Sequence, residues 1–190
     1  MSQSGMPILR RGVLLLAALP LACASPSPNL YTLSMLPGRE YRGAPKLIEL
    51  RTIGLARYLE RSQIVRSTEP YRLDILPNDW WGEPLDTMLG RVLVQSLSQR
   101  LVGGTVFPEN GAISGTADAT IGVNVQRLDQ AMSGSVMLVA QVSVTRRGMV
   151  AKTFTIAVEP RAAGVAGLVA AMNEAVGRLA DDIAVMVAGG

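Results

Sequence analysis

The chain has 190 residues, of which 48% are hydrophobic and 17% charged, a composition typical of one globular domain and not of a disordered chain. It contains no histidine and a single cysteine. Ser/His and Cys/His nucleophile pairs, an internal disulfide and a cysteine zinc cluster are therefore excluded. The formal charge is +3, and without Arg10 and Arg11 the basic and acidic side chains nearly balance. Charge thus gives no reason to expect nucleic acid as a partner.

The first segment of the chain has the order of a bacterial secretory signal peptide. Two arginines precede an apolar run at 13–19, which is too short to span a bilayer because a span needs about 20 residues. Ala22 precedes Cys23, an arrangement that resembles the lipobox of bacterial lipoproteins, with Pro20 where a leucine is usual. We predict a lipoprotein signal peptide over 1–22 and lipidation of Cys23. The alternative is an ordinary signal peptide with an incidental cysteine.

We predict that residues 23–29 form the lipidated cysteine and a flexible tether. The segment 24–29 is polar and contains prolines, so it is expected to stay extended, with a reach of about 20 Å. Ala24 and Ser25 replace the aspartate that in many Gram-negative lipoproteins signals retention at the inner membrane. The lipobox resemblance therefore implies the outer membrane, with the protein on its periplasmic face. Residues 30–188 are then predicted to form a single domain.

The first half of this domain has the pattern of short strands separated by proline and glycine. Apolar runs at 30–36 and 46–53 predict two strands. Two further runs, 62–68 and 71–76, lie on either side of Pro70 and predict a hairpin.

Two segments have the spacing of amphipathic helices. In 78–101 an apolar stripe recurs every three or four residues, with Asn78 or Asp79 as the predicted cap and the glycines at 103–104 as the end. A second stripe over 165–183 predicts a long C-terminal helix.

Between these helices the hydrophobic period changes to two. Residues 117–158 alternate apolar and polar side chains, with breaks at 132–134 and 146–148, which predicts a three-stranded antiparallel meander. The glycine-rich segment 102–115 is expected to be a flexible loop. We expect an α+β domain in which a mixed, mostly antiparallel sheet packs against two long amphipathic helices.

Four segments in a fixed order carry a family resemblance. They are YTL (31–33), ARYLERSQIVRS (56–67), WWGEPLDTMLGRVLVQSL (80–97) and AGLVAAMNEAVGRLADDIA (166–184). With the alternating meander before the last of them, the order resembles the ABC-type transport auxiliary lipoproteins, a group that includes the paraquat-inducible protein C lipoproteins. The resemblance implies a role in moving lipids between the two membranes of the Gram-negative envelope. It also implies mammalian-cell-entry (MCE) domain proteins and an ABC transporter as partners.

Two adjacent tryptophans are the first candidates for an interface with lipid or with a partner. Trp80 and Trp81 stand at the start of the predicted helix, where both cannot point inward. In the plainer alternative, one packs over the start of the helix and the other fills the core.

Basic residues around the predicted bend are the second candidates. Arg57, Tyr58, Arg61 and Arg66 can form a patch that faces a partner. The alternative is a solvated basic edge of the sheet.

These observations predict a non-enzymatic outer-membrane lipoprotein that docks a periplasmic MCE-type conduit linked to an ABC transporter or permease. The alternative is a module that itself holds phospholipid in an apolar groove between sheet and helices. An envelope hydrolase is disfavoured, because no Gly-x-Ser-x-Gly elbow and no histidine are present. No cofactor, metal or nucleic acid is expected. A homo-oligomer remains open, since one small domain offers little enclosing surface.

Overall fold

Nine strands and two α-helices succeed one another in the part of the chain that the computed structural model describes, residues 27–113 and 115–189. The predicted signal peptide and Cys23 lie outside the described residues. The strands are β1 Asn29–Tyr31, β2 Leu47–Leu50, β3 Gly54–Leu55, β4 Gln63–Glu69, β5 Arg72–Trp81, β6 Thr105–Pro108, β7 Ala119–Gln130, β8 Val136–Thr145 and β9 Met149–Val158. The helices are α1 Leu85–Arg100 and α2 Gly164–Ala188, with a 3-10 turn at Arg57–Leu59.

Strand β7 organises one mixed sheet. On one side β7 pairs antiparallel with β8, and β8 pairs antiparallel with β9. These three strands are the predicted meander. On its other side β7 pairs in turn with β2, β3 and the middle of β4, all parallel. Strand β6 extends the sheet beyond β2, and β5 and β1 extend it beyond β4. The long ladders are antiparallel, so the predicted α+β architecture is confirmed.

Both helices lie on one face of this sheet. Helix α2 packs on β7, β8 and β9, and α1 packs against α2 and β6. Alternation along the meander turns one set of side chains toward the helices, as in β8, where Val136, Leu138 and Ala140 are fully buried. The core therefore lies between the helix pair and one sheet face.

Helix α1 begins later than the sequence predicted. Strand β5 continues past Pro77 to Trp81, because Trp81 N donates to the Ser62 carbonyl at 2.7 Å and this end of β5 also pairs with β1. Neither predicted cap is used: Asp79 lies within the strand and accepts a hydrogen bond from Asn29, and Pro84 occupies the N-cap. The expected flexible loop was also wrong in part, since it contains β6, which pairs along its whole length with β2.

The predicted first strand is likewise cut short, at Tyr31, and the chain continues as a strap (residues 32–42) across the two helices. Ser34 N donates to Asn173 Oδ1 of α2 at 2.9 Å, and Gly38 N donates to Gln99 Oε1 of α1 at 2.9 Å. A side chain at Gly38 has no room, since a Cβ there would lie 2.2 Å from Arg100 Nη2. The strap thus fastens the N-terminal end of the domain to both helices.

Candidate functional site

The two tryptophans lie on β5 and point to opposite sides of it, because neighbouring residues of a strand alternate. Trp81 is buried in the core. Trp80 is half-buried, and its indole N–H donates to the Pro77 carbonyl at 2.9 Å. In the register of β1 and β5, Trp80 lies beside Leu30, which is 67% exposed. Leu30 and Trp80 therefore form an outward apolar pair where the chain enters the fold.

The basic candidates fall into two groups. Arg57 and Arg61 are exposed around the 3-10 turn, and Arg61 Nε donates to the Tyr58 carbonyl at 3.1 Å. Because Gln63 pairs with Trp80, this turn lies close to the tryptophan. Arg66, also exposed, lies farther along β4. The structure thus brings the residues of the turn near Trp80 and separates Arg66 from them.

Tyr58 belongs to a buried polar network. Its hydroxyl donates to Asp129 Oδ2 at 2.8 Å, and Asp129 is almost fully buried. The same carboxylate accepts from the Arg127 guanidinium at 2.9 Å and from the Ser67 hydroxyl at 3.3 Å. Burial, followed by the hydrogen bond to Asp129, raises the pKa of Tyr58 well above its usual range. The Tyr58 hydroxyl therefore fastens the 3-10 turn to the sheet.

A cavity of about 490 Å³ opens beside α1, between the helix and the loops that follow β2 and β6. Its wall is mainly apolar and includes Leu50, Ile53, Val94 and Pro108. Gly90 stands in the middle of this wall, and a Cβ there would lie 3.8 Å from Ile53 Cγ1. The absence of a side chain at Gly90 therefore contributes open space. The volume falls in the range of about 300–1,000 Å³ that is usual for small-ligand pockets.

Arg91 connects this cavity to the first residues of the domain. It lines the cavity, pairs with Glu83 and donates through Nη2 to the Thr32 hydroxyl at 3.3 Å. Thr32 is the first residue after β1. The cavity thus lies next to the point where the chain enters the fold.

The opposite wall is held by hydrogen bonds between its two loops. Glu109 accepts from Thr52 N at 3.0 Å and from the Thr52 hydroxyl at 3.1 Å, and Asn110 donates to the same hydroxyl at 3.2 Å. The bonds from Thr52 lower the pKa of Glu109, and the charge of Arg51 acts in the same direction. The mouth therefore carries both cations and anions.

This cavity was not predicted from the sequence. Val94 lies outside the main apolar stripe of α1, four residues after a glycine in the interior of the helix. That pair was a usable signal, because glycine inside a helix is unfavourable and implies a need for space.

A second recess, of about 250 Å³, lies at the turn between β8 and β9. Arg147, Met149 and Val150 line it together with Met186 near the end of α2. Met149 is 72% exposed. Arg66 of β4 pairs with Gln130, so β4 and β5 lie at the other end of β7, about 30 Å away along ten-residue β8. The recess and the chain entry therefore occupy opposite ends of the domain.

Within the part of the chain that the structure describes, no helix is long and apolar enough to cross a bilayer.

Comparison with known proteins gives a family match and similar structures. The family model described as "ABC-type transport auxiliary lipoprotein component" matches residues 31–184. A crystal structure of an uncharacterized protein has a TM-score of 0.74 at 20% identity, covering 85% of this chain and 99% of that one. That of protein XCC0632 from Xanthomonas campestris has a TM-score of 0.70 at 15% identity, covering 86% and 95%. At these identities the two structures show the fold alone. No curated protein matches.

Proposed function

Because the chain belongs to the family of ABC-type transport auxiliary lipoprotein components, we propose that it is a non-enzymatic lipoprotein of the outer membrane in a phospholipid transport system. Cys23 anchors it, and the domain faces the periplasm. There it docks an MCE-domain conduit that is linked to an ABC transporter. The observation that carries this proposal is the family match, which begins at Tyr31 in β1, two residues after the end of the predicted tether.

The two ends of the domain suit different contacts, one with the membrane and the other with the conduit. The chain enters near Leu30 and Trp80, so a short tether keeps this end beside the membrane. The recess at Met149 and Val150 then faces away from the membrane. It offers exposed apolar side chains together with arginines, which suits a protein partner. We place the conduit there.

The candidate interface residues divide in the same way.

 

Trp80, Arg57 and Arg61 lie at the membrane end and remain candidates for contact with lipid or with a partner there. Arg66 is exposed on the same hairpin, farther from the 3-10 turn. Trp81 is buried, and Tyr58 is partly buried and bonded to Asp129, so these two residues support the surface more than they form it.

Affinity purification of the acylated protein from envelope extracts tests the docking proposal. We expect an MCE-domain protein to be recovered, and Met149→Asp to reduce its recovery because a charge then lies in the apolar recess. The control is Ile113→Asp, which changes another exposed aliphatic residue in the loop after β6. Recovery of a different complex without any MCE-domain protein would contradict the proposal.

Radioactive palmitate tests the anchor. The wild-type chain should incorporate the label and Cys23→Ala should not. Label that is retained by Cys23→Ala would show that another group carries the lipid.

The cavity beside α1 favours a second candidate function, in which the domain itself holds lipid. Native mass spectrometry of the acylated protein should then detect one bound phospholipid. Gly90→Leu should remove it by filling the cavity, whereas Gly90→Ala should retain it, because its Cβ makes only ordinary contact with Ile53. Equal lipid content in both variants would exclude the cavity as the binding site.

A further inference from the structure

We propose that the hairpin of β4 and β5 is a membrane-contacting arm whose exposed apolar face rests on the bilayer. This goes beyond anchoring by lipid and beyond docking of a conduit. It rests on the proposed anchor at Cys23, since the acylated cysteine is what brings the bilayer to this end of the domain.

The apolar face of the arm is built by alternation along β5. Tyr71, at the turn, is fully exposed, and Leu73 and Ile75 are 46% and 44% exposed. Side chains two residues apart in a strand point to the same side, so Leu73 and Ile75 share one face, which leads to Tyr71 at the tip. A contiguous row of large exposed apolar side chains marks an interaction surface.

The row continues toward the point where the chain enters the fold. Ile75 and Trp80 each precede a buried residue, Leu76 and Trp81, so both point away from the core. They share this side although they are five residues apart, because the pairing of β5 with β4 is irregular between them and interrupts the alternation. Leu30 lies beside Trp80 in the register and is itself exposed. Tryptophan suits a membrane surface, because its ring is apolar and its N–H is polar. The arm therefore presents apolar side chains from its tip to β1.

The tether is long enough for Cys23 and the tip of the arm to reach the same membrane surface. Strand β1 runs parallel to β5, so the chain that precedes Asn29 heads toward the tip of the arm. Residues 24–29 reach about 20 Å when extended. Along β5, the distance from Arg72 to Asp79 is about 23 Å at the usual rise of a strand. An acylated Cys23 set in a bilayer can therefore hold the tip at the surface of that bilayer.

The polar residues of the arm also suit a bilayer surface. Arg72 makes ion pairs with Glu69 and with Asp74, both at 3.2 Å. Arg66 is the register partner of Asp74 on β4, so two arginines and two carboxylates lie near the tip of the arm and their formal charges sum to zero. Tyr71 has a φ of 66° in the two-residue turn that joins Glu69 to Arg72, where it follows Pro70, and its ring is fully exposed at the tip.

The test uses the acylated full chain in liposomes of phosphatidylethanolamine and phosphatidylglycerol. Cys23 is the only natural cysteine, and acylation blocks its thiol, so a cysteine introduced by Leu73→Cys or Tyr71→Cys can be labelled alone with the fluorophore NBD. Met149→Cys, at the opposite end, is the matched control because Met149 is also well exposed. We expect a blue shift of the emission and loss of quenching by aqueous iodide at residues 71 and 73 and neither change at 149.

Three results would overturn the proposal. Equal quenching at residues 73 and 149 would show that the arm stands in water. Protection at 73 that persists in detergent and rises with protein concentration would assign the face to a second copy of the chain. Labelling of the wild-type thiol would refute the anchor itself, and the arm with it, which separates failure of the anchor from failure of the arm alone.

Discussion

Arg100 provides the sharpest test of how the strap is held. Its guanidinium is 1% exposed and donates to Asp181 Oδ1 at 2.6 Å, to the Leu36 carbonyl of the strap at 2.9 Å and to the Gly177 carbonyl at 3.2 Å. Arg100→Met keeps much of the apolar stem and removes every one of these donors. The Ser96 carbonyl also accepts from Arg100, at 3.2 Å. The Ser96 and Gly177 carbonyls lie within helices, whereas the Leu36 carbonyl belongs to the strap, outside any helix or strand.

The expected loss follows from those contacts. An unsatisfied buried carbonyl costs about 1–3 kcal/mol, and a hydrogen bond to a charged group contributes about 1.5–3 kcal/mol. We therefore expect Arg100→Met to lower the free energy of unfolding by about 1–3 kcal/mol, because the Leu36 carbonyl loses its donor while the partly exposed Asp181 keeps its charge in water. Asp181→Asn should cost less, because Asp181 is 42% exposed and asparagine still accepts a hydrogen bond.

Urea unfolding followed by tryptophan fluorescence measures these differences. The control is Arg178→Met, the same substitution at an exposed arginine that pairs with Glu174 and donates to the Ala157 carbonyl, which should cost no more than about 1 kcal/mol. Hydrogen exchange should also accelerate at the amides of Ser34 and Gly38 in Arg100→Met, since the strap is released locally. If Arg100→Met costs no more than Arg178→Met, the strap is not held by Arg100.

Four further substitutions test other parts of the structure. Gly90→Ala should raise the free energy of unfolding by up to about 1 kcal/mol in urea, because a helical glycine is replaced without a clash; a loss would show that the wall of the cavity is tighter than described. Trp81→Ala should cost about 3–5 kcal/mol and Trp80→Ala much less, so equal losses would contradict their opposite orientations. Tyr58→Phe should cost about 1–2 kcal/mol at neutral pH. Because the pKa of Tyr58 is raised above 10.0, its contribution is complete below that pH and declines as the pH rises further, so a deficit of Tyr58→Phe that stays constant through pH 11 would refute the bond to Asp129.

Regular periodicity explains which elements the sequence could predict. The meander was predictable because its alternation extends over three strands, each turning one apolar face to the helices. Helix α2 was predictable for the same reason, since its buried residues recur at helical spacing. In both cases the pattern is local and needs no knowledge of distant partners.

The remaining features depend on partners far away in the chain. Strand β6 has only four residues and is fixed by β2, more than fifty residues earlier. The predicted helix start at Asn78 was wrong for the same reason. Asn78 and Asp79 are good cap formers, but pairing with β1 and the bond to Ser62 keep this segment extended. The two neighbouring tryptophans of the candidate site could be identified from the sequence. Their position on a strand, where their side chains point to opposite faces, could not.

A mechanical force between the membrane and a docked conduit would pass through the strap to reach the recess at the turn between β8 and β9. If Cys23 is held in a membrane while a conduit docks at Met149, any pull between them enters the fold through β1 and the strap. The strap passes it to both helices through Asn173, Gln99 and Arg100. Helix α2 continues from Asn173 to Met186 at the recess, about 20 Å at 1.5 Å per residue. The buried guanidinium of Arg100 therefore lies where the force passes from the strap to the helices. Its removal by Arg100→Met should loosen the strap and β1 while the recess stays folded.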